Sequence, residues 1–537
     1  MGKIPLAVGD LLERCSRRTG WCILAVALAT LGIRVALLPV RGFPSPSVHD
    51  EFSYLLGADT FASGRLSNPM HKLWPSFESI HILVRPKYAT NFQPGQSLFL
   101  AFGQKVFGHP YYGVMLSVAL MNAALCWMLF GWTSRRWALL VSLYPILYFT
   151  AGSRWMETYF GGAIVAMGAA LILGAYPRLV RRPSVGLAAL FTFGLSLLFL
   201  TRPYEGGCLA IAVTLLLAWH LWRRRSMRTN LFRWRMLLPV LILVATATFQ
   251  MALNRGITGS FFTLPYILHL RTYEVAPIWW AFKGAGPPRP GPAPEVFKLH
   301  SVEYRDYLAV HDALPWSVMM IAKRVLRLLF MLLYPVLLFP FLLPAARKDP
   351  WLRTLLAFVL ACFLSLILEV WSAYHYEAPF FAVMVAFTGR GLWKTSRAVS
   401  PGGKLALMTA AFALIVLAPL ARHAYVTHRD LTVVSEMSRF AISRAGIESS
   451  LTHSGQRHLV FVRYLPNHDI YREWVYNKAD IDKAPVIWAR DLGLAQNDQV
   501  IAYYGKSRHY WLLEADVENP QLKDYVSRQD SALASKP

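Results

Sequence analysis

Charge is scarce in this chain. Only 16% of its 537 residues are Asp, Glu, Lys or Arg, against 55% hydrophobic and 14% aromatic. So little charge excludes a soluble globule of this size and points to a chain that crosses a membrane many times. Cysteine is equally sparse. Cys15, Cys22, Cys126, Cys208 and Cys362 fall in or beside apolar stretches, none lies in the polar C-terminal part, and no CxxC pair occurs. That excludes a disulfide framework and a zinc ribbon. The polar C-terminal part also lacks a Gly-rich phosphate loop and a nucleophile elbow, and no internal repeat is evident. The first apolar stretch of the chain has no small-residue cleavage site, so it reads as a signal anchor that is retained.

What is present is apolar sequence in long runs. A helix needs about 20 apolar residues to cross the hydrocarbon, fewer where neighbours shield its ends. About eleven runs qualify by that standard: 21–40, 111–132, 137–151, 159–176, 185–200, 207–222, 236–253, 318–343, 352–370, 379–393 and 405–421. With the N-terminus in the cytoplasm, the connectors on that side hold about 21 Lys and Arg against about three acids. The clearest block is "WRRRSMRTNLFRWR". The net charge of +25 is therefore a topology signal, and nucleic acid is not an expected partner. Two long connectors, 41–110 and 254–315, and everything after Arg422 then face outward. The expected fold is an α-helical polytopic membrane domain, residues 1–421, followed by a small α/β domain, residues 422–537. In that domain 458–465, 485–490 and 509–516 read as strands, with helices near 470–476 and 496–504. It lacks catalytic motifs and reads as an accessory or recognition domain, and "GAGPPRPGPAP" (284–294) reads as a turn-rich loop.

The outward side carries the chemistry. "HDEFSYLLGADTFASGRLSNP" places Asp50 and Glu51 just past the first span, and "YATNFQPGQSLFLAFGQ" follows. "WMETYFGG", "TRPYEG" and "HYEAP" lie in other outward connectors. Together these stretches resemble the GT-C glycosyltransferases, nearest the bacterial family 39 relatives of dolichyl-phosphate-mannose protein mannosyltransferases and of aminoarabinose lipid A transferases. The resemblance implies interfacial helices in the first outer loop and one-step inverting transfer of a sugar from a polyprenyl phosphate to a protein, lipid or glycan acceptor. It implies Asp50 as general base, and no required metal or other cofactor. It also suits a bacterial inner membrane with the C-terminal domain outside.

A carboxylate that accepts a hydroxyl proton must sit near the lipid headgroup and be partly desolvated. It would also steady positive charge developing at the sugar carbon. The competing reading is an interfacial helix whose dipole favours Asp50 and Glu51 at its N-terminus. Glu157 is a second candidate acid, or the partner of Arg154 in a surface ion pair. Family relatives carry a Lys where this chain has Asn91, so Lys87 and Arg85 become candidates for the donor phosphate. Arg202, which ends an apolar helix, is another, unless it only pairs with Glu205. Lys323 and Arg327 share one helical face and are phosphate candidates or lipid-headgroup snorkellers. Arg271 completes that set, and Tyr54, Tyr88, Tyr273 and His375 are candidates for the sugar or acceptor pocket. A transporter or lipid flippase, or a non-catalytic membrane scaffold, remains the alternative class.

Overall fold

In a computed structural model, residues 18–525 are described apart from 151, 224–236, 274, 281–285, 313, 332–343, 345–346, 372 and 433–435. Most of the basic block and the second half of the 318–343 run lie outside the described residues. All eleven apolar runs contain helix. In chain order these are α1 (Thr19–Arg41), α4 (Tyr111–Trp132), α5 (Arg135–Thr150), α6 (Gly162–Arg181), α7 (Val185–Thr201), α8 (Glu205–Arg223), α9 (Leu237–Thr258), α12 (Leu314–Met331), α13 (Pro350–Ile367), α14 (Ala378–Ala398) and α15 (Pro401–Thr432). Among the described residues seven are long and apolar enough to cross a membrane, and the shorter α7 is apolar as well. The chain is an integral membrane protein. Helix α6 is the innermost, 89% buried along its apolar window, with α4 next at 72%.

Charge is segregated between the two ends of this bundle. At one end Arg390 holds Asp349 in a two-pronged ion pair that Lys394 joins, while Arg178 and Arg181 donate to carbonyls at the end of α4. Asp349 also caps α13 by accepting from Trp351 and Leu352. The opposite end carries the acids and the long loops.

The first long loop holds α2 (His49–Ala62), α3 (Pro94–Phe107) and a small antiparallel sheet of β1 (Asn68–Pro69), β3 (Lys87–Thr90) and β2 (Ile82–Leu83), in that order. Helices α2 and α3 pack so closely that a Cβ on Gly57 would meet Ser97 Oγ at 2.4 Å. The second long loop contributes α10 (Pro265–Tyr273) and α11 (Pro294–Asp312). Its turn exposes Phe261 and Phe262, the latter by 85%, which suits an interfacial anchor.

After α15, α16 (Glu436–His453) leads into a four-stranded sheet ordered β5 (Val486–Arg490), β4 (His458–Arg463), β6 (His509–Glu514) and β7 (Leu522–Asp524). The first three strands are parallel, β7 is antiparallel, and α17 (Leu494–Tyr504) joins β5 to β6. The expected strands are there. The helix expected over 470–476 is not: Arg444 takes the carbonyls of Trp474 and Tyr476, and Glu473 takes the Val475 amide. Side chains have claimed the backbone groups that helical bonds would use.

Candidate active site at the loop-bearing end

The first turn of α2 supplies the acidic pair, and its two carboxylates face different surroundings. Glu51 is buried and accepts from the amides of Ser47, Val48 and Tyr159 and from the Ser47 hydroxyl. Burial pushes its pKa up, against those hydrogen bonds. With both oxygens engaged, Glu51 caps α2 and ties it to the segment before α6. Asp50 is the partly open one. His49 Nδ1 meets its Oδ1 at 3.0 Å and His81 Nε2 meets the same oxygen at 3.3 Å. Burial pushes the Asp50 pKa up, but the His49 hydrogen bond and the neighbouring His81 and His375 outweigh it, so the carboxyl lies below the usual range. Asp50 is thus anionic at any physiological pH.

His81 reaches Asp50 by an unusual backbone. Its φ of +57° makes it the one left-handed non-glycine among the described residues, a conformation that costs on the order of 1 kcal/mol or more. Its carbonyl accepts from Ser53 Oγ of α2 at 2.7 Å, which holds the turn in place. Burial pushes the His81 pKa down to about 4, so the ring is neutral. Behind it runs a line of imidazoles. His81 and His269 have ring centroids 6.1 Å apart, His269 and His300 5.4 Å, and His300 Nδ1 meets Glu303 at 2.7 Å. His269 and His300 are each 1% exposed, and the Nε2 of each has no hydrogen-bond partner among the described residues.

The same end of the bundle carries a cation. Arg202 follows α7, lies 4.2 Å from the centroid of the Tyr376 ring and pairs with Glu205 at 3.5 Å. Tyr54 and Tyr376 each have both Arg202 and Asp50 among their electrostatic neighbours. Tyr54 stacks on Phe92, and His375 stacks on Phe160 while facing Asp50 electrostatically. Glu369 adds a buried carboxylate whose oxygens have no hydrogen-bond partner among the described residues, with Glu205, Arg202 and Arg324 as its electrostatic neighbours.

The candidates divide accordingly. Asp50, Tyr54, Arg202 and His375 come together. Glu157 does not join them, because Arg34 grips it at 2.6 and 3.1 Å, with Arg41 at 3.7 Å. Its expected partner Arg154 instead packs over Tyr374. Arg85 lies over the Trp74 ring, and Lys87 and Arg271 are exposed. Tyr88 and Tyr273 are buried anchors whose hydroxyls donate to the Asn477 carbonyl and to Glu78. On α12 Lys323 is exposed, and the Arg327 side chain lies outside the described ones. It is Arg324 that turns inward, donating to the carbonyls of Glu369 and Trp371. His81, His269, His300, Glu303 and Glu369 had no sequence signal beyond residue type, since nothing in their spacing foretells their meeting, whereas Tyr376 lies in the "HYEAP" stretch.

His49, Asp50 and His81 each offer a ligand atom, all within 4.8 Å of one another. Two imidazoles and a carboxylate suit a transition-metal ion. They equally suit the hydrogen bonds observed.

No protein-family model matches the chain, and no curated protein matches it. Solved structures do. The similarity runs over nearly the whole chain. ArnT from Cupriavidus metallidurans bound to undecaprenyl phosphate has a TM-score of 0.48 at 15% identity, covering 93% of this chain and 93% of that one. The Archaeoglobus fulgidus oligosaccharyltransferase tethered with an acceptor peptide has a TM-score of 0.47 at 11% identity, covering 93% of this chain and 70% of that one. AglB from Archaeoglobus fulgidus in complex with an inhibitory peptide and a dolichol-phosphate has a TM-score of 0.39 at 10% identity, with coverages of 83% and 62%.

Proposed function

We propose that the chain is a GT-C-type membrane glycosyltransferase that passes a sugar from a polyprenyl phosphate to an acceptor hydroxyl, with inversion, at the outer face of a bacterial inner membrane. The observation that carries this reading is a carboxylate and a guanidinium set where an apolar bundle meets its long loops: Asp50, flanked by His49 and His81, and Arg202, which packs over Tyr376 and pairs with Glu205. The resemblance of the "HDEFSYLLGADTF" loop to that superfamily points the same way.

In this reading Asp50 takes the acceptor's hydroxyl proton as the oxygen attacks the anomeric carbon, and the bond from that carbon to the phosphate oxygen breaks. The lipid phosphate leaves carrying the bonding pair, and Arg202 binds its charge. The His49 hydrogen bond favours the anionic form of Asp50, which makes it a modest proton acceptor but a strong electrostatic partner for positive charge on the sugar. The reading contains no metal step. The charge segregation along the bundle supports an outward loop-bearing end, C-terminal domain included.

The test is sugar transfer by the full-length protein in nanodiscs, from undecaprenyl-phosphate sugars to candidate acceptors, followed by mass spectrometry. Asp50→Asn should abolish transfer while donor binding persists. Normal transfer by that variant would remove Asp50 from the role of base. Labelling a Ser63→Cys variant that lacks the native cysteines, with a membrane-impermeant thiol reagent, checks sidedness. Protection from outside would overturn the orientation.

A further inference from the structure

A groove opens between two membrane helices at the end of the bundle opposite the long loops. Helices α7 and α9 touch where Thr246 Oγ1 donates to Ser196 Oγ at 2.7 Å. Nearer their N-terminal ends they enclose a hollow of about 690 Å³, walled by Gly186, Leu190 and Phe193 of α7 and by Ile242 of α9. Leu190 and Phe193 are exposed, and a Cβ on Gly186 would meet no atom within 4 Å. From residue 186 to residue 193 the wall runs about 10 Å along α7, from the helix end into the apolar part of the bundle.

The floor of this apolar groove carries charge. Arg178 of α6 and Trp127 of α4 also line it, the guanidinium 4.3 Å from the ring centroid. Arg178 donates to the carbonyls of Gly174 and Trp127 at 2.6 and 2.7 Å, and Arg181, one turn on, donates to that of Gly131 at 3.2 Å. Carbonyls accept these hydrogen bonds but leave the positive charge uncancelled. Asp349, the acid at this end, is already held by Arg390 and Lys394. No ion pair involves Arg178, Arg181 or Arg182 among the described residues. The connector that enters α9 beside the groove, 224–236, contains Arg224, Arg225, Arg228, Arg233 and Arg235 and no acid. The neighbouring sequence thus lends no counter-charge, and the anion must come from outside the chain.

We propose that this groove binds an anionic phospholipid, with an acyl chain against Leu190, Phe193 and Ile242 and the phosphate at Arg178. Both walls belong to membrane helices, so lipid is what meets the groove, and the uncompensated guanidinium selects lipid by charge. A phosphate receives charge-assisted hydrogen bonds from the guanidinium N–H groups that the two carbonyls leave over. A zwitterionic lipid carries its own cation beside the phosphate, which the arginines repel. Basic pockets between membrane helices hold anionic headgroups by the same balance. The groove lies at the opposite end from Asp50, so the inference stands apart from the transferase reading.

The experiment is native mass spectrometry of the full-length protein released from nanodiscs of phosphatidylglycerol and phosphatidylcholine in equal parts. The protein should retain phosphatidylglycerol with a preference of about tenfold or more over phosphatidylcholine. Gly186→Trp fills the groove and should lower that retention about tenfold. Leu215→Trp places a large ring at an exposed position of α8 and should change nothing. Arg178→Gln should erase the preference while leaving the groove open. Thermal unfolding checks that the variants fold, and if Arg178→Gln does not, Gly186→Trp decides alone. Equal retention of the two lipids by the unaltered protein, which would mean annular lipid only, would overturn the proposal. So would unchanged retention by Gly186→Trp, an equal loss in Leu215→Trp, or an unchanged preference in folded Arg178→Gln. Displacement of phosphatidylglycerol by an equal amount of undecaprenyl phosphate would also overturn it, by assigning the groove to a polyprenyl lipid.

Discussion

Arg490 joins three parts of the chain, and replacing it with Met measures what that junction contributes. The guanidinium is 1% exposed and donates to the Glu78 carbonyl in the first long loop at 2.7 Å, to Glu295 in the second at 2.5 Å, and to Glu473 in the C-terminal domain at 2.5 Å. Met keeps the aliphatic stem but strands two carboxylates. Glu473 is buried and retains Tyr464 and the Val475 amide as donors, while the Glu295 side chain is 14% exposed and reaches water. Removing one member of a buried ion pair costs about 3–5 kcal/mol, and the hydration of Glu295 favours the lower half of that range. A loss of about 3 kcal/mol raises the open fraction of that junction on the order of a hundredfold. Hydrogen exchange in the detergent-solubilised protein reads it out at the Ala293 amide, which donates to Glu78, and at the Val475 amide. Glu473→Gln and Glu295→Gln added to Arg490→Met should restore much of the protection, since neutral amides are cheaper to bury. A change under about 1 kcal/mol in the single variant, or no recovery in the triple, would refute the argument that an uncompensated charge sets the cost.

Other tests address the candidate site around Asp50. Asp50→Asn should lower turnover about 10²–10⁴-fold with donor affinity retained, measured by initial rates and donor titration. Arg202→Gln should weaken donor binding about 10–100-fold, because a charge-assisted hydrogen bond is worth about 1.5–3 kcal/mol; unchanged affinity would remove Arg202 from the phosphate site. His81 is neutral when folded and takes up a proton when unfolded below pH 6.5, so the stability it confers is complete above that pH. It falls as pH drops from 6.5 toward 4, by up to about 3 kcal/mol. His81→Gln should flatten that slope in unfolding titrations at several pH values. Chelation with EDTA should leave turnover unchanged; loss on chelation with recovery on adding zinc would recast His49, Asp50 and His81 as metal ligands.

Much of the bundle could be read directly, since a run of apolar residues has few destinations other than a membrane helix: each of the eleven runs contains helix, and among the described residues seven of these helices are long and apolar enough to cross a membrane. Asp50 was legible because a charge is conspicuous beside apolar sequence, as was Arg202 at the end of α7. Its surroundings were not. His81, His269 and His300 are drawn from two loops and meet only through tertiary packing. Facing was harder still: helical spacing singled out Lys323 and Arg327, yet the neighbouring Arg324 is the one that turns toward Glu369 and Trp371. The 470–476 segment was expected to be helical, but Arg444, about 30 positions earlier, captures its carbonyls. Local propensity cannot anticipate that competition.

The grip of Arg34 on Glu157 bears on how the chain enters the bilayer. Arg34 sits within the first helix with a fully covered side chain, and its counter-ion is 123 residues further along. An unpaired arginine at the middle of a membrane helix costs about 2.5–3.5 kcal/mol on insertion scales. During synthesis the first helix therefore carries that cost unrelieved until α4 and α5 have emerged and the segment bearing Glu157 arrives. Assembly of this end of the protein is thereby timed by translation: chains truncated before residue 157 should leave the first helix accessible and easily extracted, and chains ending beyond it should lock it in.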